Sequence, residues 1–525
     1  MWRIARAWRL PWILLFIISL ILINNIYTSK PQIYKSDTLE HPKGDLIKHG
    51  GDLERIIKAR TLSKLEVANS KHGSTAMLEL SDAVKEDEDV AKEVDGMDRI
   101  DEAGEMNAID QGNQDAQIDE LNAANEVNSN EAYQSMNSNN EDFVHSHEFN
   151  NWRNLSSAEI GRMSTLGRIM FLNEPLPEKK NNQFLILVWK YGPTIERRLI
   201  KQYGAVAKDP FEKCSVHNCE LTYKDSAISK ADAVMVHFHR TKGPDDLPNR
   251  TRADQRWIWL TDESMQNTFM VAKNKDISQY NGKFNWSMNY RMNADVPVPY
   301  GRTFLLTDTE KLNDNNIDYF ALKNKTIAIM GSNCGGTNGR WKYVKLLQEQ
   351  MQVDTYGGCG TLKCPGHFTK DCPLLNQYKF YLAFENTNCD EYLTEKVWWN
   401  AIEKGAVPVV LGSNKEVYKK LLPPGSFIYV EDFKTPKELA KHLSYVASNR
   451  EAYNRYHAWR RKFKVVNEHG YFASAVYHYC RICEALNYND PRTQVYNHLE
   501  DFWHKDKHCY KSKWQKNLEE AQGKR

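Results

Sequence analysis

The sequence predicts an α/β protein with two doubly wound domains facing a cleft, preceded by a transmembrane anchor and a mostly disordered stem. Three observations predict this. Short continuous apolar runs alternate with helical stretches from about residue 183 onward. Pro297, Pro299 and Gly301 punctuate that region and divide it in two. An apolar run near the N-terminus is followed by a long polar segment with no Trp between Trp12 and Trp152.

Leu10 to Tyr27 reads LPWILLFIISLILINNIY, about as long as a short membrane span. Arg3, Arg6 and Arg9 precede it, so residues 1–9 are expected to stay cytosolic and the rest to cross. A cleaved signal peptide would carry a shorter apolar region and a small-residue cleavage site. Asn24-Asn25-Ile26-Tyr27 is a poor one, so 10–27 is read as an uncleaved signal anchor. A short span suits thin early secretory membranes, hence a Golgi, single-pass type II placement with the bulk of the chain lumenal. Residues 28–180 form the stem. Its Asp, Glu, Asn, Gln and Ser cannot bury enough apolar surface to offset ordering entropy, apart from a helical piece near 53–68.

With 525 residues the chain is long enough for two domains and extras. Its net charge of +2 hides an asymmetry: residues 81–120 hold fifteen acidic and three basic side chains, leaving +14 elsewhere. A nucleic-acid binder would be clearly basic, so no nucleic-acid partner is expected. A basic folded part suits an anionic ligand such as a nucleotide diphosphate, or is simply solvated surface. The ten cysteines fit an oxidising lumen and disulfides, with zinc as the alternative. Sequons at Asn154, Asn249, Asn285 and Asn324 fit the same compartment.

The first domain, 181–301, opens on the apolar run Phe184–Trp189, followed by Ala233–Phe238 and Trp257–Leu260, strands buried on both faces with helical stretches between them. The second, 302–465, has strands at 326–330, 353–356, 378–384 and 407–411. Its helices are expected at 340–351, 395–404, 436–448 and 451–464. Residues 466–525 are a Cys-containing tail, in which Trp503, His504 and His508 either meet the ligand or pack.

The densest chemical signal is Tyr378 to Gly412, YKFYLAFENTNCDEYLTEKVWWNAIEKGAVPVVLG. A buried strand ends where Glu385 and Asn386 emerge. Thr394 is placed to cap a helix, with Glu395 and Lys396 in its first turn. Free N–H groups and a lysine at a helix start favour phosphate; Glu395 suits sugar hydroxyls. Read alone, the stretch is equally a capped helix bearing a solvated Glu-Lys pair.

This stretch resembles the hallmark of the α1,3-fucosyltransferases, carried here by Phe380, Phe384, Glu385, Asn386, Tyr392, Leu393, Thr394, Glu395, Lys396, Val407, Pro408, Val409 and Gly412. Trp257-Ile-Trp-Leu-Thr-Asp-Glu263-Ser264 resembles the family's Trp-x-Trp…Glu-Ser-Pro segment, with Met265 in place of Pro. Phe284 to Arg291 and Ser332-Asn333-Cys334…Arg340 match two further segments. The resemblance covers about residues 184–465 and implies two Rossmann-like domains of the GT-B-like kind. Ser332-Asn333-Cys334, Tyr356-Gly-Gly-Cys359 and the cysteine-rich tail look most like the plant and invertebrate core enzymes, which fucosylate the innermost GlcNAc of N-glycans.

The resemblance implies inverting transfer from GDP-fucose, with Glu263 as catalytic base and Glu385 and Glu395 as rivals. Ser332, Asn333, Arg340, Asn386, Tyr392, Glu395 and Lys396 form the implied donor site, with Arg291 reaching the leaving group across the cleft. An Arg fork and a Lys point charge suit a pyrophosphate. The only Asp-x-Asp pattern, Asp87-Glu88-Asp89, lies in the stem. No metal site is therefore expected, no cofactor is required, and Mn²⁺ is at most stimulatory. The acceptor partner is a glycoprotein N-glycan; the oligomeric state is not legible. The alternatives are a Lewis-type enzyme acting on antennal GlcNAc, another inverting nucleotide-sugar transferase, and an inactive glycan-binding homologue.

Overall fold

The structure, a computed structural model, describes residues 152–190, 209–211, 213–307, 310, 317–364, 371–470, 476–492 and 494–521. The anchor expected at 10–27 and the stem up to 151 lie outside the described residues. Among these, no helix is long and apolar enough to cross a membrane.

The stem expected to run to 180 gives way to folded chain by 152. Helix α1 (Ser157–Gly161) opens on a capping box, Ser156 and Glu159 each accepting from the other's backbone N–H. Helix α2 (Thr165–Leu172) is capped by Ser164, whose Oγ accepts from Gly167 N. It buries Leu166, Met170 and Phe171, and Asn489 Oδ1, far along the chain, accepts from Leu166 N at 2.9 Å. Two short helices at the end of a long polar stretch give little periodicity on their own. Their burial depends on residues more than 300 positions away.

The first sheet comprises β1 (Phe184–Val188), β2 (Cys219–Thr222), β3 (Ala233–His237), β4 (Arg256–Leu260), β5 (Trp286–Asn289) and β6 (Val296–Pro297). All neighbours are parallel, in the order β2-β1-β3-β4-β5-β6. Every residue of β3 is buried, as strands covered on both faces require. Of the helical stretches expected between these strands, residues 191–208 lie outside the described residues; the described connections are corrected to 3₁₀ turns such as Asp225–Ala227, Phe238–Arg240 and Ile277–Tyr280.

After β7 (Gly301–Leu305) come β8 (Lys325–Met330), α3 (Arg340–Gln348), β9 (Asp354–Tyr356) and β10 (Tyr378–Phe384). Helix α4 (Glu395–Val397) runs into a π-helical turn, Trp398–Glu403, and β11 (Val407–Leu411), α5 (Lys415–Leu421), β12 (Ile428–Tyr429), α6 (Pro436–Ser448) and α7 (Arg450–Arg455) follow. The second sheet is also parallel, in the order β12-β11-β10-β8-β9. The helix expected over 451–464 is half right. It stops at Arg455, and β13 (Phe463–Asn467) pairs antiparallel with β7. Phe463, Val465 and Val466 suit a strand, and β7 supplies the partner that the sequence does not advertise.

The C-terminal tail is part of the fold. Helix α8 (His478–Tyr488) has all its residues buried and lies against α2, β1 and β6. Disulfides Cys214–Cys480 and Cys219–Cys483 pin it to the first domain. So the first sheet is covered by helices from before and after it in sequence. Beyond lie α9 (Leu499–Phe502), α10 (Lys505–His508) and α11 (Lys513–Ala521). Trp503, 1% exposed, meets Trp259 and Tyr290 with ring centroids at 5.4 and 5.5 Å and donates from Nε1 to Thr268 Oγ1 at 2.8 Å. Cys509 then bonds Cys389, and Gln515 Nε2 donates to Thr337 O at 2.6 Å in the second domain. With Cys334–Cys359 and Cys364–Cys372, no cysteine remains free, which removes the zinc alternative for these residues.

A buried ladder of charge joins tail and core. Glu468 meets Arg302 at 2.6 Å and Arg481 at 3.2 Å, and Arg481 meets Glu484 at 2.6 Å. Burial pushes the Glu468 carboxyl up, but Arg302 and Arg481 outweigh it and hold it below the usual range. A carboxylate depressed on folding contributes stability above its unfolded pKa and loses it as the pH falls. Glu468→Gln is therefore expected to lower unfolding free energy at pH 7 by about 3–5 kcal/mol. The gap from the parent should narrow in denaturant titrations below the unfolded value of roughly 4.3. Trp503→Ala is expected to cost about 3–5 kcal/mol, read as a lowered denaturant midpoint.

Candidate active site

Strand β10 is buried almost throughout and delivers Glu385, 0% exposed, to its carboxyl end. A buried carboxylate needs partners, and the loop ahead provides them. Thr394 N and Oγ1 donate to Glu385 Oε1 at 2.8 and 3.0 Å, and Lys396 Nζ stands 3.2 Å from Oε2. Lys396 also pairs with Glu395 at 3.1 Å and donates to Thr394 Oγ1 at 2.8 Å. The capping role expected of Thr394 is thus corrected. It holds the N-cap position, but its side chain makes no capping bond because Glu385 takes the hydroxyl. Burial opposes charge on Lys396; Glu385 and Glu395 overcome it and raise its pKa. Burial raises the Glu385 carboxyl against the pull of Lys396. The motif glycine also has a steric cause: a Cβ on Gly412 would stand 3.0 Å from Glu385 Cγ and from Tyr418 Oη.

Arg340, the first residue of α3, is 4% exposed. It donates to Phe384 O at 3.0 Å, Asn333 O at 2.7 Å and Gly335 O at 3.2 Å. The guanidinium therefore moulds the loop after β8 against the end of β10, leaving two of its five N–H donors for a ligand. Gly336 in this loop has φ of 126°, and a Cβ there would lie 2.9 Å from Asn386 O. Asn386 O accepts from Thr337 N at 2.9 Å, while its enclosed Oδ1 has no hydrogen-bond partner. Ser332 is half-buried and Asn333 exposed on the same loop. The structure thus gathers Ser332, Asn333, Arg340, Asn386, Glu395 and Lys396 at the carboxyl ends of central strands β8 and β10, where ligands of open parallel sheets bind.

Glu263 lies just beyond the carboxyl end of β4. Its Oε2 accepts from Tyr392 Oη at 3.1 Å. Tyr392, expected in the donor set or as core packing, is buried and donates its hydroxyl to the candidate base. Its ring lies 5.2 Å from that of Tyr290. Arg291, expected at the leaving group, is also engaged elsewhere. Its Nη1 donates to Phe502 O at 2.8 Å and its Nε lies 3.7 Å from Glu391. Glu391 takes the left-handed φ of 58°, uncommon for a non-glycine residue, and accepts from Met292 N at 2.7 Å. The loop 390–392 thereby clamps the second domain to the first. Sequence reasoning missed Glu391 and Tyr290. An acidic residue beside a cysteine in a polar loop reads as solvated, and its reach to Met292 is visible only in three dimensions.

Three of the four sequons, Asn154, Asn249 and Asn324, are exposed. Asn285 is a correction. It is buried, its Nδ2 donates to Gln494 O at 2.8 Å, and its Oδ1 accepts from Trp257 N at 2.9 Å and from Arg250. A glycan nitrogen cannot be that one. Among the described residues no group of three or more His, Cys, Asp or Glu side chains is placed to hold a metal ion.

Two parallel-sheet domains, one ending in a cationic loop cluster and the other in a carboxylate held by a tyrosine, define a nucleotide-sugar-dependent glycosyltransferase. Residues 181–301 match the family described as Fucosyltransferase, N-terminal, and residues 320–503 match Glycosyltransferase family 10 (fucosyltransferase) C-term. The chain belongs to glycosyltransferase family 10, the fucosyltransferases. It is similar to glycoprotein 3-alpha-L-fucosyltransferase A of Drosophila melanogaster, 32% identical over 306 residues that span 58% of each chain, and so under two thirds of that relative. It is 36% identical over 281 residues to the 3-galactosyl-N-acetylglucosaminide 4-alpha-L-fucosyltransferase of Bos taurus, covering 53% of this chain and 72% of that one. A solved α1,3-fucosyltransferase with GDP-fucose matches at a TM-score of 0.35 and 17% identity, over 56% of this chain and 86% of that one, too weak a likeness to argue from.

Glu263→Gln keeps the shape and removes the ionisable carboxyl of the candidate base. It is expected to lower kcat by roughly 10²–10⁴-fold. Tyr392→Phe, which removes only one hydrogen bond to that base, is expected to cost about tenfold, with KM for donor little changed. Steady-state kinetics of both variants check this; equal losses would give Tyr392 a larger part than positioning.

Proposed function

We propose that this enzyme transfers L-fucose from GDP-fucose, with inversion, to the 3-hydroxyl of the innermost Asn-linked GlcNAc of N-glycans. The observation that carries the chemistry is the pairing of a tyrosine-held carboxylate, Glu263, with the Arg340–Lys396 cluster. Glu263 takes the proton from the acceptor hydroxyl as that oxygen bonds to fucose C1. The bond from C1 to the diphosphate oxygen breaks on the opposite face, and GDP leaves with the bonding pair. Arg340 and Lys396 oppose the charge growing on the diphosphate, which is where such stabilisation counts most. Glu385, the rival base, is enclosed and bonded to Thr394 and Lys396; Glu395 is paired with Lys396. Neither matches Glu263 for the role. The same cations supply what a metal ion would, so activity is proposed to persist in EDTA.

The core acceptor is supported by the resemblance of Ser332-Asn333-Cys334 and Tyr356-Gly-Gly-Cys359 to the plant and invertebrate enzymes, and by a Drosophila relative whose name specifies a glycoprotein. The bovine relative, named for a galactosyl-GlcNAc acceptor, supports the antennal reading as an alternative. Five disulfides and exposed sequons support a Golgi-lumenal catalytic part.

The test incubates the full chain with GDP-fucose, EDTA and an N-glycopeptide bearing a terminal antennal GlcNAc, and locates added deoxyhexose by mass spectrometry. Fucose on the innermost GlcNAc is expected. Fucose on the antenna alone would move the acceptor outward, and loss of transfer restored by Mn²⁺ would overturn metal independence.

A further inference from the structure

We propose that Asp262 is a positioning residue for the base, its carboxylate lodged between the imidazoles of His237 and His469 so that the neighbouring Glu263 is presented to the acceptor in one orientation. The proposal rests on the reading of Glu263 as base. Asp262 is 2% exposed. His237 Nε2 stands 3.8 Å from its Oδ1 and His469 Nε2 stands 3.6 Å from its Oδ2, both rings being as deeply buried. A second ring, His478, lies 4.7 Å from that of His469. A carboxylate so far from water needs polar partners, and two imidazole nitrogens face its two oxygens.

The cluster is assembled from four separate parts of the chain. His237 ends β3, Asp262 follows β4, His469 follows β13 and His478 begins α8. Tyr300 adds a fifth part: its Oη donates to Asp262 O at 2.8 Å, and its ring stacks on His469 with centroids 3.9 Å apart. Glu263 N meanwhile donates to Thr261 Oγ1 at 3.3 Å, and the Glu263 carboxylate accepts from Tyr392. The peptide joining Asp262 to Glu263, the preceding side chain and the base itself are all restrained.

Buried ion pairs contribute little net stability compared with apolar packing. One at the carboxyl edge of a parallel sheet, one residue from the reacting carboxylate, is better explained by geometry, because small misplacements of a catalytic group are costly. The proposal also gives the tail a catalytic consequence, since His469 and His478 belong to residues 466–525.

The test compares Asp262→Asn, Glu263→Gln and the double variant as full chains. Asp262→Asn is expected to lower kcat on the order of 10- to 100-fold with KM for GDP-fucose unchanged. In the Glu263→Gln background it should cost nothing further, because Asp262 acts only through the base. An Asp262→Asn effect of equal size in both backgrounds, or a full-rate Asp262→Asn beside a crippled Glu263→Gln, would overturn the proposal. A full-rate Glu263→Gln would overturn the reading of the base itself. If Asp262→Asn does not fold, His469→Gln is measured in the same cycle, with the same loss of kcat and the same non-additivity expected.

Discussion

The burial of Glu385 is the constraint on which the active site depends. A carboxylate at the closed end of β10 has no water to solvate it, so the chain must return donors to it. The loop does so with the backbone and hydroxyl of Thr394 and the ammonium of Lys396. Satisfying that one group sets the course of residues 386–396. That course carries Glu391 and Tyr392 to the first domain, and leaves the Lys396 charge beside the loop that Arg340 shapes. Gly412 suits this packing, because a Cβ there would crowd the Glu385 side chain and the Tyr418 hydroxyl.

The two domains are joined by more than a linker. The β7–β13 ribbon returns the chain to the first domain, where α8 covers the sheet under two disulfides. The chain then crosses again, past Trp503 and through Cys389–Cys509, to pack on the second domain. Among the described residues the crossovers of the first sheet are 3₁₀ turns, and α2 and α8 pack on it. A domain boundary drawn at the end of the second domain therefore cuts through the cover of the first.

Local chemistry was legible where it is written in contiguous residues. The strands at 326–330, 378–384 and 407–411 are short, mostly apolar runs between turn residues, and each is found within one position. The candidate residues Glu385 to Lys396 were legible for the same reason, as one motif, and Arg340 opens one helix. The contact of Tyr392 with Glu263 was not, because its position in the motif says nothing of the direction its hydroxyl takes across the domain gap. Asn285 carries a sequon, yet whether its amide faces water or Gln494 depends on how the tail closes.

The amino-acid order by itself determined the fold class, the two-domain division and most of the strands. Hydrophobic periodicity and chain punctuation are properties of neighbours in sequence. It also determined the reaction class, because long motifs combine residue type with fixed spacing. Only the tertiary structure decided which cysteines pair, that the tail belongs to the core, and that Tyr392 serves Glu263. Most of those outcomes arise from contacts distant in sequence, such as Met292 with Glu391 and Cys214 with Cys480. Their geometry follows from how two sheets and a returning chain share one buried interior.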